Sequence, residues 1–192
     1  MSDHPGLDPG SNQKNLIRSA PTIETERLIL RAWTKADFRP WFEIMQHPDV
    51  HRHFGPNPSG LEDIWRRLAA AIGGWQLLGF GTWGVERKSD GRLVGNVGLF
   101  NAWRELEPEF GEEPEMGWIF AAETHGQGMA LEACQTVVEW GEANIRPTPW
   151  WAIIAPANEA SIKLAGKLGF EIHSETAYHG EPTRVLKRPA WA

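Results

Sequence analysis

His125-Gly126-Gln127-Gly128-Met129-Ala130 marks a change of period in this chain. Before it, Met116 to Ala121 reads as a strand. After it, Ala130, Leu131, Cys134, Val137 and Val138 share one face of a helix that should fade near Ile145, ahead of Pro147. A strand that runs through Gly-x-Gly-x-Ala into a helix presents unpaired backbone N–H groups at the positive end of a helix dipole. Such a turn suits a phosphate group, and glycine removes the Cβ that would block close approach or forbid the backbone angles. Two familiar versions fit poorly. A dinucleotide turn needs a third Gly or Ala where Leu131 stands, after an early βαβ unit that is missing, and a P-loop needs Gly-Lys-Ser/Thr. A glycine turn without a ligand stays open at this point.

Outward from the turn the chain alternates strands and helices. Ile23 to Trp33 reads as a strand closed by Thr34-Lys35-Ala36-Asp37. Phe38, Trp41, Phe42 and Met45 recur at helical spacing, and Pro40 either begins that helix or kinks it. Ser59-Gly60-Leu61-Glu62 has the form of a capping box, followed by Leu61, Ile64, Trp65, Leu68 and Ile72 along a helix. Phe80 to Lys88 and Leu93 to Trp103 are strand-like around the hairpin signal Ser89-Asp90-Gly91-Arg92. Trp150 to Ala155 is a short apolar strand. Ser161, Leu164, Ala165 and Leu168 mark a last helix ended by Gly169. Phe170 to Thr176 and Thr183 to Lys187 close the chain as strands around a turn at residues 179–182. The fold class is therefore α+β (mixed α/β). Residues 1–21 are expected to form a flexible N-terminal tail and 22–192 a single domain, with 104–115 and 177–182 the longest irregular pieces.

Bulk properties narrow the function. A chain of 192 residues with 41% hydrophobic and 23% charged residues can build one core large enough for a ligand cleft. The net charge of −6, with no long Lys/Arg run, lacks the electrostatic footprint of a nucleic-acid binder and weakly favours amine partners. No apolar run approaches the roughly 20 residues of a membrane helix, and Met1 to Pro21 has no hydrophobic signal segment. The single Cys134 fits a reducing compartment, so a cytoplasmic protein is expected, with neither nucleic acid nor membrane as partner. The oligomeric state, monomer or homodimer, is not legible. Eleven tryptophans read chiefly as core and rim packing.

Three segments in order resemble the GNAT superfamily of N-acetyltransferases. His125 to Ala130 is similar to the family's Arg/Gln-x-x-Gly-x-Gly/Ala motif, with His125 in the first place. Thr25-Glu26-Arg27-Leu28-Ile29-Leu30-Arg31 resembles the opening strand of the ribosomal-protein alanine acetyltransferase branch (RimJ/RimL-like). Asn158-Glu159-Ala160-Ser161 through Lys167-Leu168-Gly169-Phe170 resembles that branch's late helix. The resemblance, over about residues 22 to 188, implies a GNAT fold: a central, mostly antiparallel twisted sheet of about seven strands with four flanking helices. It also implies a splayed pair of neighbouring strands, here Met116 to Ala121 and Trp150 to Ala155. The implied cosubstrate is acetyl-CoA. Its pyrophosphate would lie on His125, Gly126, Gln127, Gly128, Met129 and Ala130, its pantetheine arm along Trp118, Ile119 and Phe120, with Asn158 and Ser161 alongside. No metal is implied.

Acetyl transfer needs a neutral amine. A lysine amine with pKa ~10.4 is rarely neutral at pH 7, whereas an α-amine with pKa ~8 is neutral about a tenth of the time. The base candidate is Glu115, where many relatives keep a carboxylate; the alternative is that it belongs, with the five other glutamates at 105, 107, 109, 112 and 113, to a solvated acidic face. The relatives' usual acid is a tyrosine at the place of Ala165, so Ser161 and Tyr178 are the candidate acids. Asn96, Asn101, His51 and His53 are candidates for the acceptor side, and His-x-His lacks further metal ligands. The expected function is acetyl-CoA-dependent N-acetyl transfer to a primary amine, on a protein N-terminus or a small molecule. Its rivals are a catalytically weakened acyl-CoA-binding regulatory protein, motivated by Ala165, and a nucleotide-dependent oxidoreductase.

Overall fold

A computed structural model describes residues 17–54 and 57–192. One eight-stranded sheet has the order β1-β2-β3-β4-β5-β6-β8-β7. Its strands are β1 (Ile23–Glu24), β2 (Leu28–Arg31), β3 (Thr82–Arg87), β4 (Arg92–Phe100), β5 (Glu115–Phe120), β6 (Trp150–Ile154), β7 (Glu171–Tyr178) and β8 (Glu181–Arg188). All neighbours are antiparallel except β5 and β6. The helices are α1 (Phe38–Gln46), α2 (Pro48–His51), α3 (Leu61–Leu78), α4 (Met129–Asn144) and α5 (Glu159–Lys167). The mixed α/β sheet, mostly antiparallel, expected from sequence is present, and no described helix is long and apolar enough to cross a membrane.

Several local expectations change. The run Ile23 to Trp33 is two strands, because the Thr25 N–H and hydroxyl bond Leu28 and turn the chain back on itself, pairing Ile23 with Leu30. Pro40 sits in the first turn of α1, where its missing N–H costs no helical bond. The capping box at Ser59 does not form: Gly60 is the N-cap without a side-chain bond, and the Ser59 carbonyl accepts from the Gln46 amide instead. Leu61, Trp65 and Ile72 are exposed, while Ile64, Leu68 and Trp75 form the buried stripe of α3. The strand expected to reach Trp103 ends at Phe100. The segment 177–182 is not irregular. His179 and Gly180, both at positive φ, make a two-residue hairpin turn between β7 and β8.

Two main cores lie against the sheet. The larger unites the strands with α4 and α5 and includes Trp83, Val97, Met116, Val137, Trp150 and Ala165. Trp75, Trp83 and Trp140 meet edge to face in it, at 4.7 to 5.3 Å between ring centroids, which adds about 0.5–1.5 kcal/mol per pair beyond burial. The second, Trp33, Trp41, Met45, Val50, Ile64, Leu68 and Leu93, seats α1 and α3 on the sheet. Of the expected tail, Ile17 and Ala20 pack on the larger core and the Pro21 carbonyl accepts from the Trp83 indole; residues 1–16 of that tail lie outside the described residues.

Candidate active site

The cleft follows from how β5 leaves its neighbour. On one side β5 pairs with β4 along its whole length, Glu115 with Phe100 through Phe120 with Gly95. On the other it pairs with β6 only at Glu115 and Trp151, where the Trp151 N–H donates to the Pro114 carbonyl at 2.9 Å. A strand's backbone groups alternate sides, so the Trp118 N–H and carbonyl point, like the Pro114 carbonyl, towards the β6 side. Beyond the first pair the two strands diverge. A clamp fixes the closed end: Phe110 stacks on Trp151 at 4.7 Å, and the Trp151 indole donates to Glu113 at 2.5 Å. Glu113 is thus part of a packed segment rather than a solvated acidic face.

A cleft of about 1250 Å³ occupies the space thus opened. Residues of β5 (Gly117, Trp118, Ile119) and β6 (Ile153, Ile154) line it with Asn158 and Ser161, and it continues under α3 past Trp33, Trp41, Leu68 and Arg67. Asn96 and Phe100 of β4 and Glu115 line it as well. The buried Asn96 Oδ1 has no hydrogen-bond partner among the described residues. Gly117 lies under the Phe100 ring, which a Cβ there would strike.

The glycine turn lies beyond the cleft lining, at the start of α4. Gly126 and Gly128 have φ of 73° and 77°, angles L side chains rarely adopt, and Gly128 is the N-cap. The N–H groups of Gly126, Gly128, Met129, Ala130 and Leu131 make no hydrogen bond among the described residues, leaving five donors at the helix's positive end. The Gln127 N–H is engaged, with the Thr124 carbonyl at 3.3 Å, and the His125 ring contacts the Phe120 carbonyl at 3.0 Å. The residues present therefore fit a diphosphate group.

Glu115 is buried and held in a two-pronged ion pair by Arg104, Nε and Nη2 lying 2.6 and 2.8 Å from its oxygens. Burial lifts its carboxyl above the ordinary range against the opposing pull of that guanidinium. Tyr178, at the end of β7, lies under Arg104 with its ring centroid 5.0 Å away and lines the same cleft. Asn158 caps α5 by accepting from the Ser161 N–H at 3.1 Å, and the Ser161 hydroxyl accepts from the Trp118 indole at 3.3 Å, which leaves its own proton to donate. Ala165 is fully buried in the larger core. His53 lines the cleft; burial, and then Arg52, hold its ring below the ordinary histidine value. The buried His51 Nδ1 has no partner among the described residues. Asn101 spans its own loop, accepting from the Trp103 N–H and donating to the Gly111 carbonyl. Sequence reasoning missed Arg104, Arg67 and Trp33 as cleft residues. Arg104 lies in an irregular segment 11 residues before its partner, so no periodic signal marks it.

Comparison with known proteins agrees with this geometry. The acetyltransferase (GNAT) domain model matches residues 27–171. The chain is 29% identical over 152 residues to the uncharacterized N-acetyltransferase YoaA of Bacillus subtilis (strain 168), covering 79% of this chain and 83% of that one. It is similar to a solved GnaT-family acetyltransferase from Bordetella pertussis, at 28% identity and a TM-score of 0.77, over 88% of this chain and 99% of that one. It also shares its fold with aminoglycoside acetyltransferase AAC(6')-Ib in complex with coenzyme A, at 17% identity and a TM-score of 0.66, over 84% and 95% of the two chains. With the splayed strands, the glycine turn and the family match in agreement, this chain belongs to the GNAT acetyltransferases and is an acyltransferase.

Proposed function

We propose that the protein transfers the acetyl group of acetyl-CoA to a primary amine, on a protein N-terminus or a small molecule, by direct attack on the thioester. The observation that carries this reading is the junction at the splay, where one cleft joins the open edge of β5 to the buried Glu115. The pyrophosphate lies on the N–H groups that follow His125, the arm runs along Trp118 towards Asn158 and Ser161, and the amine arrives from the α1–α3 side. The Thr25-to-Arg31 segment, a turn leading into β2, supports the ribosomal-protein alanine acetyltransferase branch, and the single buried thiol of Cys134 accords with the cytoplasm.

The amine must shed a proton before it attacks. Glu115 takes it, directly or through water, and a carboxylate whose pKa is raised by burial serves better as a base than an ordinary one. Arg104 keeps the carboxylate aimed into the cleft, while the Trp118 N–H on the open edge polarises the thioester carbonyl. As the tetrahedral adduct collapses, the carbon–sulfur bond breaks and the thiolate leaves. Ser161, or Tyr178 from the hairpin, supplies a proton to the sulfur. The amide and free CoA are the products.

The test is CoA release from acetyl-CoA over N-terminal peptides, polyamines, aminoglycosides and amino acids, with the acetylated product identified by mass. At least one amine class should raise release well above the amine-free rate, and Glu115→Gln should lower kcat about a hundredfold or more. CoA binding without turnover on any amine would favour the regulatory alternative, and bound NAD in place of CoA the oxidoreductase.

A further inference from the structure

The Thr25-to-Arg31 segment has no role in the chemistry above, yet Arg27 reaches the glycine turn and, with Thr25, the first turn of α4, about a hundred positions later. The Arg27 guanidinium donates through Nε to Glu132 Oε2 at 2.7 Å and through Nη1 to the Gln127 carbonyl at 2.8 Å. The Arg27 backbone N–H adds a bond to Glu132 Oε1 at 2.9 Å, and the Thr25 hydroxyl donates to the same oxygen. Glu132 lies in the first turn of α4, so β2 is tied to the helix that carries the turn. Burial pushes the Glu132 carboxyl up, but the bonds from Thr25 and Arg27 outweigh it and hold the group ionised below the ordinary range.

A peptide group is planar and trans, so its carbonyl and the next residue's N–H point in opposite directions. With the Gln127 carbonyl held by Arg27, the Gly128 N–H must point away from Arg27. The Met129, Ala130 and Leu131 N–H groups are free by their place in the first turn of α4, whereas the direction of the Gly128 N–H follows from this peptide. One of the five free donors, the Gly128 N–H, thus takes its direction from a side chain about a hundred positions earlier.

We propose that Arg27, anchored by Glu132 and Thr25, is a positioning residue for the donor's diphosphate, setting the Gln127–Gly128 peptide so that the turn's N–H groups face the ligand. This rests on the acetyl-CoA reading above. Lysine in its place carries the charge but lacks the rigid fork that spans Glu132 and Gln127 together.

The test is equilibrium binding, which needs no acceptor amine. Acetyl-CoA is compared with acetylpantetheine, which has the same thioester arm and no phosphate, by calorimetry on the wild type, Arg27→Met, Arg27→Lys and Glu132→Gln, with melting temperatures alongside. Arg27→Met should weaken acetyl-CoA binding about tenfold or more, as loss of a charged hydrogen bond implies, and leave acetylpantetheine unchanged. Arg27→Lys should rescue little of that loss, and Glu132→Gln should reproduce its direction. Unchanged acetyl-CoA binding in Arg27→Met, full rescue by lysine, or equal weakening of both thioesters would overturn the proposal. A wild type that binds neither thioester would overturn the acetyl-CoA reading itself.

Discussion

Glu115 and Asp37 are both buried carboxylates paired with arginine, and their surroundings push them in opposite directions. Glu115 receives two bonds from a single guanidinium, and burial prevails, so its carboxyl is raised. Burial raises Asp37 as well, but less, and two bonds from Arg31 and two from Thr34, through its N–H and hydroxyl, prevail and hold the carboxyl low. The acid limb of kcat/KM should therefore lie above the ordinary glutamate value of about 4.3 and vanish in Glu115→Gln. A limb that persists in the variant assigns the base elsewhere. Asp37→Ala leaves the Arg31 guanidinium, which also bonds Glu86, short of its main partner beside the second core. Urea unfolding should show a loss of about 3 kcal/mol with activity at saturating substrate retained. The resemblance singled out Glu115, at the start of the strand where relatives keep a carboxylate; the direction of its shift came from burial prevailing over Arg104, which spacing does not reveal.

Glycines separate two kinds of constraint within the elements. A Cβ at Gly98 of β4 would fall on the backbone of Gly81 and Thr82 across the β3 pairing, where no side chain can yield. Gly126 has open space around it, and its constraint is the positive φ alone. Gly98→Ala should accordingly cost about 1–3 kcal/mol and shift the strand beside the cleft. Gly126→Ala should cost roughly 1–2 kcal/mol and weaken CoA binding while thioesters without phosphate bind as before. Calorimetric unfolding and binding on the two variants check both, and equal CoA affinities in Gly126→Ala and the wild type would count against the turn as a phosphate cradle. The turn itself was readable as Gly-x-Gly between two periods. The exposed Leu61, Trp65 and Ile72 were not, because helical spacing names a stripe without saying which neighbour covers it.

Across the whole molecule the buried acids set how stability follows pH. A folded pKa held low, as at Asp37 and Glu132, gives stability that is present above the unfolded value and lost as pH falls through the folded one. A folded pKa held high, as at Glu115, acts the other way: its stabilising effect is present at low pH and lost as pH rises through the folded value. Asp37→Asn and Glu132→Gln should therefore flatten the fall in stability on acidification, and Glu115→Gln should steepen it, as read by melting temperature from pH 7 down to pH 3. A parallel shift of all three curves would contradict the assignment. The sequence by itself determined most of the element order, the mixed sheet and the glycine turn, because period and turn chemistry are local properties of the chain, but not the break of the first strand at Thr25 or the short helix α2. Asn158 and Ser161 were marked only through the resemblance to the family. Only the tertiary structure decided that β5 and β6 part after one pair, that Arg104 grips Glu115, that Tyr178 returns to the cleft, and that Arg27 reaches the turn. Each of those depends on side chains brought together across loops or the sheet, and no spacing along the chain encodes such a distance.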